Sequence, residues 1–404
     1  MCQSAWIQDS ALLQVPTSYA SGYEKARSLN PEYADNYIRH TMVGDEDLDP
    51  VMDELSGMPP GEMHQFIHAG LHQEEEWLSK APEILQRYFR EVDSKIPEWV
   101  DFEEFRPAVV GFHKNMPEIL VAFVTAALLE GFTTLISKSF YLTGRVHSEY
   151  ATRRFKQNNR HLLEIFLPGG LRREGDGYRL SARIRFVHAM VRRLMKDSDI
   201  WDTGAWGTPL SAAHVGLAVS IFSAQILKHS ISLGAIYTQE ERESFVKVFR
   251  YTGYIMGVPE SILLKDENEA RTIIDIGFMC EPPPDEHSIA NANALIHAGP
   301  ALLNITDPDE VASALKTLYN ISRALIGHEL ADALNYPKSS TFGVLFAHRL
   351  KNHISRMKNL LLKTRGRQTK LDNFSQMLQL SAYDDIGMSY RLPDNVKASE
   401  SSKW

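Results

Sequence analysis

Between residues 107 and 364 apolar side chains return every three or four positions in long runs, the spacing of helices that each bury one face. The pattern predicts helices over 118–141, 148–166, 180–196, 208–233, 239–256, 267–280, 288–298, 309–334 and 340–364. Residues 1–104 read differently. They are polar, broken by Pro16, Pro31, Pro50, Pro59, Pro60, Pro82 and Pro97, and hold only short helical patterns such as 60–79, which predicts an N-terminal extension of short helices wrapped on the core. Alternation of the strand type occurs only in scraps such as 177–180, so the expected architecture is all-α: one large helical domain over 105–364, preceded by the extension and followed by a tail over 365–404.

End signals support several of these boundaries. Thr238 followed by Glu241 forms a capping box, with acids at the positive end of the helix dipole. Asp307-Pro308 opens the next long helix in the same way, and Thr208-Pro209 reads as a cap with proline in the first turn. The segment 167–177 is a glycine-rich connector whose spacing fits no phosphate-cradling loop.

With 43 Lys and Arg against 51 Asp and Glu, the chain is acidic overall, which argues against a nucleic-acid binder. Its two cysteines, Cys2 and Cys280, are too few for a disulfide framework or a four-thiolate zinc site and suit a reducing compartment. The N-terminus lacks a secretory signal pattern, so the expected location is cytoplasmic. The greasiest run, 119–136, carries Glu130 and Gly131 and reads as a buried core helix rather than a membrane span; peripheral contact with a membrane stays open. HExxH, ExxH, GxSxG and GxxxxGKS patterns are missing, which removes zinc-protease, di-iron, serine-hydrolase and P-loop chemistry.

The helix over 181–196 carries the candidate chemistry. Ile184, Val187, His188, Val191 and Met195 share one face, which places an imidazole in an apolar wall, with Arg185 and Arg192 on neighbouring ridges. Such a wall suits a flat, apolar cofactor edged with carboxylates, haem above all, with the two arginines as partners for its propionates. A core histidine flanked by surface arginines produces the same pattern. His214, in the apolar run SAAHVGLAVSIF, is the other inward-facing candidate.

Three blocks, 141–165, 167–195 and 208–264, together with the later ISRALIGHELADALNYPKSS, resemble the catalytic domain of the latex clearing protein (rubber oxygenase) and MpaB-like haem oxygenase family over about 105–350. The motifs are TGR at 143–145, the GGL turn at 169–171, R-x-x-H-A-x-V-R around His188, G-x-x-x-GV at 253–258 and GxELADALxxP at 327–337. The resemblance implies an all-helical fold around one b-type haem, with His188 as the iron ligand. It also implies a distal arginine and threonine one turn apart: Arg154 matches the arginine, Asn158 stands where threonine is usual, and Gln157 where rubber oxygenases can carry a lysine. The implied activity is attack of O2 on a C=C bond of a small lipophilic, isoprenoid-like substrate. A non-catalytic haem sensor or carrier, and a haem-free helical lipid- or protein-binding protein, are the alternatives.

Overall fold

A computed structural model describes residues 13–143, 148–302, 305–361, 391–393 and 395–396. Six short helices form the extension: α1 (Ala20–Leu29), α2 (Pro31–Thr41), α3 (Asp49–Leu55), α4 (Pro60–His72), α5 (Glu75–Leu78) and α6 (Glu83–Ser94). The larger part follows with α7 (Arg106–Lys114), α8 (Met116–Ala122), α9 (Leu128–Gly131), α10 (Ile136–Leu142), α11 (Ser148–Ile165), α12 (Asp176–Lys196) and α13 (Thr203–Trp206). It is completed by α14 (Ala212–Ser220), α15 (Ile226–Ser232), α16 (Gln239–Ile255), α17 (Glu267–Cys280), α18 (Glu286–Leu302), α19 (Pro308–Ile326), α20 (His328–Ala333) and α21 (Val344–Leu361). No strand occurs among the described residues, so the protein is all-α as the periodicity predicted.

The capping box of Thr238 and Glu241 is present at the start of α16, and Asp307 caps α19 by accepting from the amides of Asp309 and Glu310. Several boundaries differ from the expectation: α12 begins at Asp176 rather than 180, α18 runs Glu286–Leu302 rather than 288–298, α21 begins at Val344 rather than 340, and three further differences have a local cause. The helix expected over 208–233 begins at Ala212, because Ser211, not Thr208, turns its hydroxyl onto the His214 amide. The run 118–141 folds as two helical segments bent by 94°, and 309–334 breaks at Gly327, whose φ of +87° no helix accommodates.

Two long helices each carry a π-helical turn at mid-length, Phe123–Ala127 between α8 and α9 and Ile221–Gln225 between α14 and α15. The two turns pack against each other. π-Turns widen a helix by one residue and recur at functional sites. Between these helices lies a buried pair, Glu130 Oε1 and His229 Nε2 at 3.0 Å, so the carboxylate that interrupts the greasy run is paired in the interior.

One continuous apolar cluster runs from Tyr19 to Leu392 and includes Ile38, Met52, Leu85 and Phe89 of the extension. The extension therefore shares the core of the larger part. Its contacts fall on the elements that build the site: α3 and α4 pack on α12, and α2 packs on α14 and α17.

Candidate active site

The chain reverses between α11 and α12 through the connector 166–175. At Gly170 a Cβ would stand 1.9 Å from the Glu164 carbonyl oxygen, and the Tyr178 amide donates to the Gly170 carbonyl at 2.8 Å. Only glycine lets the two backbone segments approach this closely. The reversal lays the helices side by side, so that His161 of α11 meets Ser181 of α12.

Above that contact the two helices help to enclose an apolar cavity of about 210 Å³. α12 contributes Ile184, Val187 and His188; α11 contributes Gln157, Asn158 and His161; the π-turns contribute Phe123, Ile221 and Phe222. Asn291 of α18 and His214 of α14 complete its polar edge. The structure thus brings His188 and Asn158 to one cavity. The side chain of Arg154, one turn before Asn158, lies outside the described residues.

Three histidines reach this wall in different states. His214 is held at both ring nitrogens: Nδ1 lies 3.2 Å from Ser211 Oγ, and Nε2 lies 3.0 Å from the Tyr19 hydroxyl and 3.2 Å from Glu281 Oε1. Glu281 is itself buried and accepts from the Tyr37 hydroxyl at 2.6 Å and the Leu135 amide at 2.8 Å. Burial alone would raise its pKa, but His214 and these two donors hold it below the usual carboxylate range. Burial and the Glu281 charge push the Tyr19 and Tyr37 hydroxyls well above theirs. His214 is therefore committed to a buried polar cluster.

His161 is oriented by Ser181. The serine hydroxyl donates to the Gly177 carbonyl at 2.7 Å, so at 2.8 Å it accepts from His161 Nε2. Burial lowers the His161 pKa to about 4, leaving a neutral imidazole at physiological pH. His188 stands half-buried on the aliphatic face of α12, between Val187 and Ile184.

Arg185 and Arg192 lie elsewhere. Arg185 is buried and grips Asp45 through Nε at 2.6 Å and Nη2 at 2.7 Å, with Asp47 at 3.3 Å. Arg192 forks onto Asp49 through Nε and Nη2 and donates Nη1 to the Leu210 carbonyl at 2.8 Å. Neither lines the cavity; Arg185 borders a second cavity on the far side of α12, with Tyr88, Tyr178 and Tyr254. Helical register placed both on ridges beside His188, but acids from the extension and the head of α3 reach those ridges first. This pairing argues against the propionate role expected of them.

Reading the sequence passed over Asn291 and Glu281. Glu281 precedes three prolines at a helix end and bonds to Tyr37, 244 positions away, so no local pattern marks it. Asn291 Oδ1 and Gln157 Nε2 are buried on the cavity wall with no hydrogen-bond partner among the described residues. Asn291 Nδ2 donates to the Ser137 carbonyl at 2.9 Å, so one acceptor and one donor are left over on the wall, and such buried atoms suit a polar group from outside the protein.

Among the described residues no cluster of three or more His, Cys, Asp or Glu side chains is spaced to hold a metal ion by itself. A haem needs only one axial side chain, since the porphyrin supplies the other donors. Among the described residues one helix, Ala212–Ser232, is long and apolar enough to cross a membrane, or two if the bent pair Met116–Gly131 and Ile136–Leu142 is taken as one span; 72% of the Ala212–Ser232 window is buried, and its middle forms a cavity wall.

The family described as the ER-bound oxygenase mpaB/B′ and rubber oxygenase catalytic domain matches residues 110–350. The solved structure of the latex clearing protein in its closed state shares the fold, with a TM-score of 0.59 at 16% identity, covering 77% of this chain and 82% of that one. No curated protein matches the chain. The His188 and Asn158 cavity lies within the matched span, and the chain belongs to the mpaB and rubber oxygenase catalytic-domain family.

Proposed function

We propose that the cavity holds one b-type haem on His188 and that the protein uses O2 to oxidise a C=C bond of a small lipophilic, isoprenoid-like alkene. One observation carries this reading: two helices far apart in role, one bearing His188 and one bearing Gln157 and Asn158, converge on a single apolar cavity whose wall retains two amide atoms without a partner among the described residues, Gln157 Nε2 and Asn291 Oδ1. The residues suit the cofactor. His188 offers an imidazole from an aliphatic face, and phenylalanine and aliphatic neighbours suit a porphyrin plane. Haem, when bound, supplies the activation of O2.

The chain's own residues then have definite tasks. His188 holds the cofactor in place. Asn158 provides a hydrogen-bond donor toward charge that develops in the cavity, where a dry setting strengthens it; the family resemblance gives Arg154 the same part. Asparagine donates but does not relay a proton as the usual threonine hydroxyl does. Neutral His161, fixed by Ser181, offers its other ring edge to the cavity without bringing a charge into it. Phe123, Phe222 and Ile221 exclude water and accept an apolar substrate. Arg185 and Arg192 act as braces that hold α12, and with it His188, against the extension.

The test is an absorption spectrum of the protein beside His188→Ala, both made with ample haem precursor, followed by product analysis with farnesol as probe under O2 and under nitrogen. A Soret band in the wild type that His188→Ala loses or shifts, with O2-dependent carbonyl products, is the expected result. No haem in either protein overturns the cofactor assignment. Haem without O2-dependent turnover of any alkene leaves a sensor or carrier.

A further inference from the structure

On the side of α12 away from the His188 cavity, a second cavity of about 440 Å³ lies between α6, α12 and the end of α16. Four tyrosines line it: Tyr88 of α6, Tyr178 of α12, and Tyr251 and Tyr254 of α16. Tyr88, Tyr178 and Tyr251 are 7%, 6% and 3% exposed, yet none of the four hydroxyls has a hydrogen-bond partner among the described residues. The Tyr19 and Tyr37 hydroxyls, buried elsewhere in the core, are both paired. Burial raises the pKa of all four phenols, so they remain protonated. Buried hydroxyls gathered in one wall without partners call for a polar guest.

Charge gives the sign of that guest. Seven Asp and Glu side chains line the cavity against four Lys and Arg. Three of the cations are engaged: Arg185 by Asp45 and Asp47, Arg173 by Asp93, and Arg172 by Glu103 at 3.8 Å. Among the described residues Glu46, Glu91 and Glu174 have no ion pair, and the Glu260 carboxylate accepts only from Trp99 Nε1 at 3.4 Å. An anion would meet these uncompensated carboxylates. A metal ion would find no group of ligating side chains among the described residues, and a wholly apolar guest would leave the hydroxyls unpaired.

The rings give its kind. Guanidinium groups already lie over aromatic faces of this wall, Arg173 over Tyr178 at 5.0 Å and Arg172 over Phe102 at 4.9 Å. Tyr251 and Tyr254, stacked with their planes 11° apart, carry no such cation among the described residues, and Tyr254 is half-buried. Electron-rich faces beside free carboxylates suit a weakly hydrated organic cation. We infer that this cavity binds an organic ammonium ion that also carries a hydrogen-bonding group, its cationic head beside Tyr254 and its polar group on the free phenol hydroxyls. The inference stands apart from the haem assignment and keeps its meaning if that assignment fails.

Titration calorimetry of the full chain with choline, and with its uncharged isostere 3,3-dimethyl-1-butanol, tests it. Choline should bind saturably and about tenfold tighter than the alcohol. Tyr254→Leu should weaken choline binding about fivefold, whereas Tyr254→Phe, which keeps the ring and leaves three hydroxyls, should stay within about twofold of the wild type. Both variants should melt as the wild type does, because the Tyr254 side chain is partly exposed. The pair Glu174→Gln, Glu260→Gln should weaken binding about threefold at low salt. Four outcomes overturn the proposal: no saturable heat from choline, equal affinity for the alcohol, unchanged choline binding in Tyr254→Leu, or tighter binding of 3,3-dimethylbutanoate than of choline. The heat of binding is read without haem, so its outcome is separate from that of the haem assignment.

Discussion

Arg185 and Asp45 form a two-pronged buried ion pair, Nε to Oδ2 at 2.6 Å and Nη2 to Oδ1 at 2.7 Å, that ties the helix bearing His188 to the N-terminal extension. Burial alone would raise the pKa of Asp45, but the guanidinium more than offsets it and holds the carboxyl below its ordinary value. Removing one partner strands the other charge in the interior. Asp45→Ala is expected to cost about 3–5 kcal/mol, and Arg185→Ala a similar amount, read by denaturant unfolding. Replacing both with apolar residues should recover part of the loss. If Arg185 served propionates instead, its alanine variant would weaken haem retention with little effect on the stability of the haem-free protein.

His214→Ala should leave the Soret band in place and destabilise the fold, because Glu281 would lose the group that most lowers its pKa inside the core. The expected loss is about 3 kcal/mol or more. Adding Glu281→Gln should restore much of it, since the neutral amide has no charge to compensate. Loss of haem in His214→Ala, with stability intact, would move the ligand assignment from His188 to His214.

Gln157 Nε2 is buried without a partner among the described residues, so Gln157→Leu removes a desolvated donor from the cofactor-free protein. Stability should rise by about 1 kcal/mol. Turnover by the haem-loaded variant should fall, because the same amide faces the cavity. Thermal melting and steady-state rates measured side by side separate the two effects.

Acid should weaken the protein through His161. Its folded pKa of about 4 lies below the unfolded value of about 6.5, so between these limits the unfolded chain binds a proton that the folded chain refuses. Stability from this group is complete above pH 6.5 and falls as the pH drops toward 4, by on the order of 3 kcal/mol in all. His64, also lowered to about 4 by burial and by the charge of Arg183, adds to the same slope. His161→Gln should flatten part of the slope in unfolding experiments between pH 7 and pH 4.

The sequence alone determined the helical architecture, most helix spans and the histidine that faces inward, because these depend on near neighbours: an apolar residue every three or four positions, a capping box at Thr238, a proline after Asp307. It also determined that Asn158 and His188 belong to one constellation, through motifs carried on successive helices. Tertiary structure alone decided which charges are free to serve a ligand. Arg185 and Arg192 sit on the expected ridges, yet Asp45 and Asp49, some 140 positions earlier in the chain, neutralise them. Along the sequence His188 is set apart from His214 by its flanking arginines and its motif; the structure adds that Tyr19, Ser211 and Glu281 hold His214 at both ring nitrogens. The 94° bend near Phe132 and the mutual packing of two π-turns likewise had no mark in the local pattern. Helix periodicity is written over a few residues, whereas the partner of a buried charge is chosen by whichever segment the fold brings within about 3 Å.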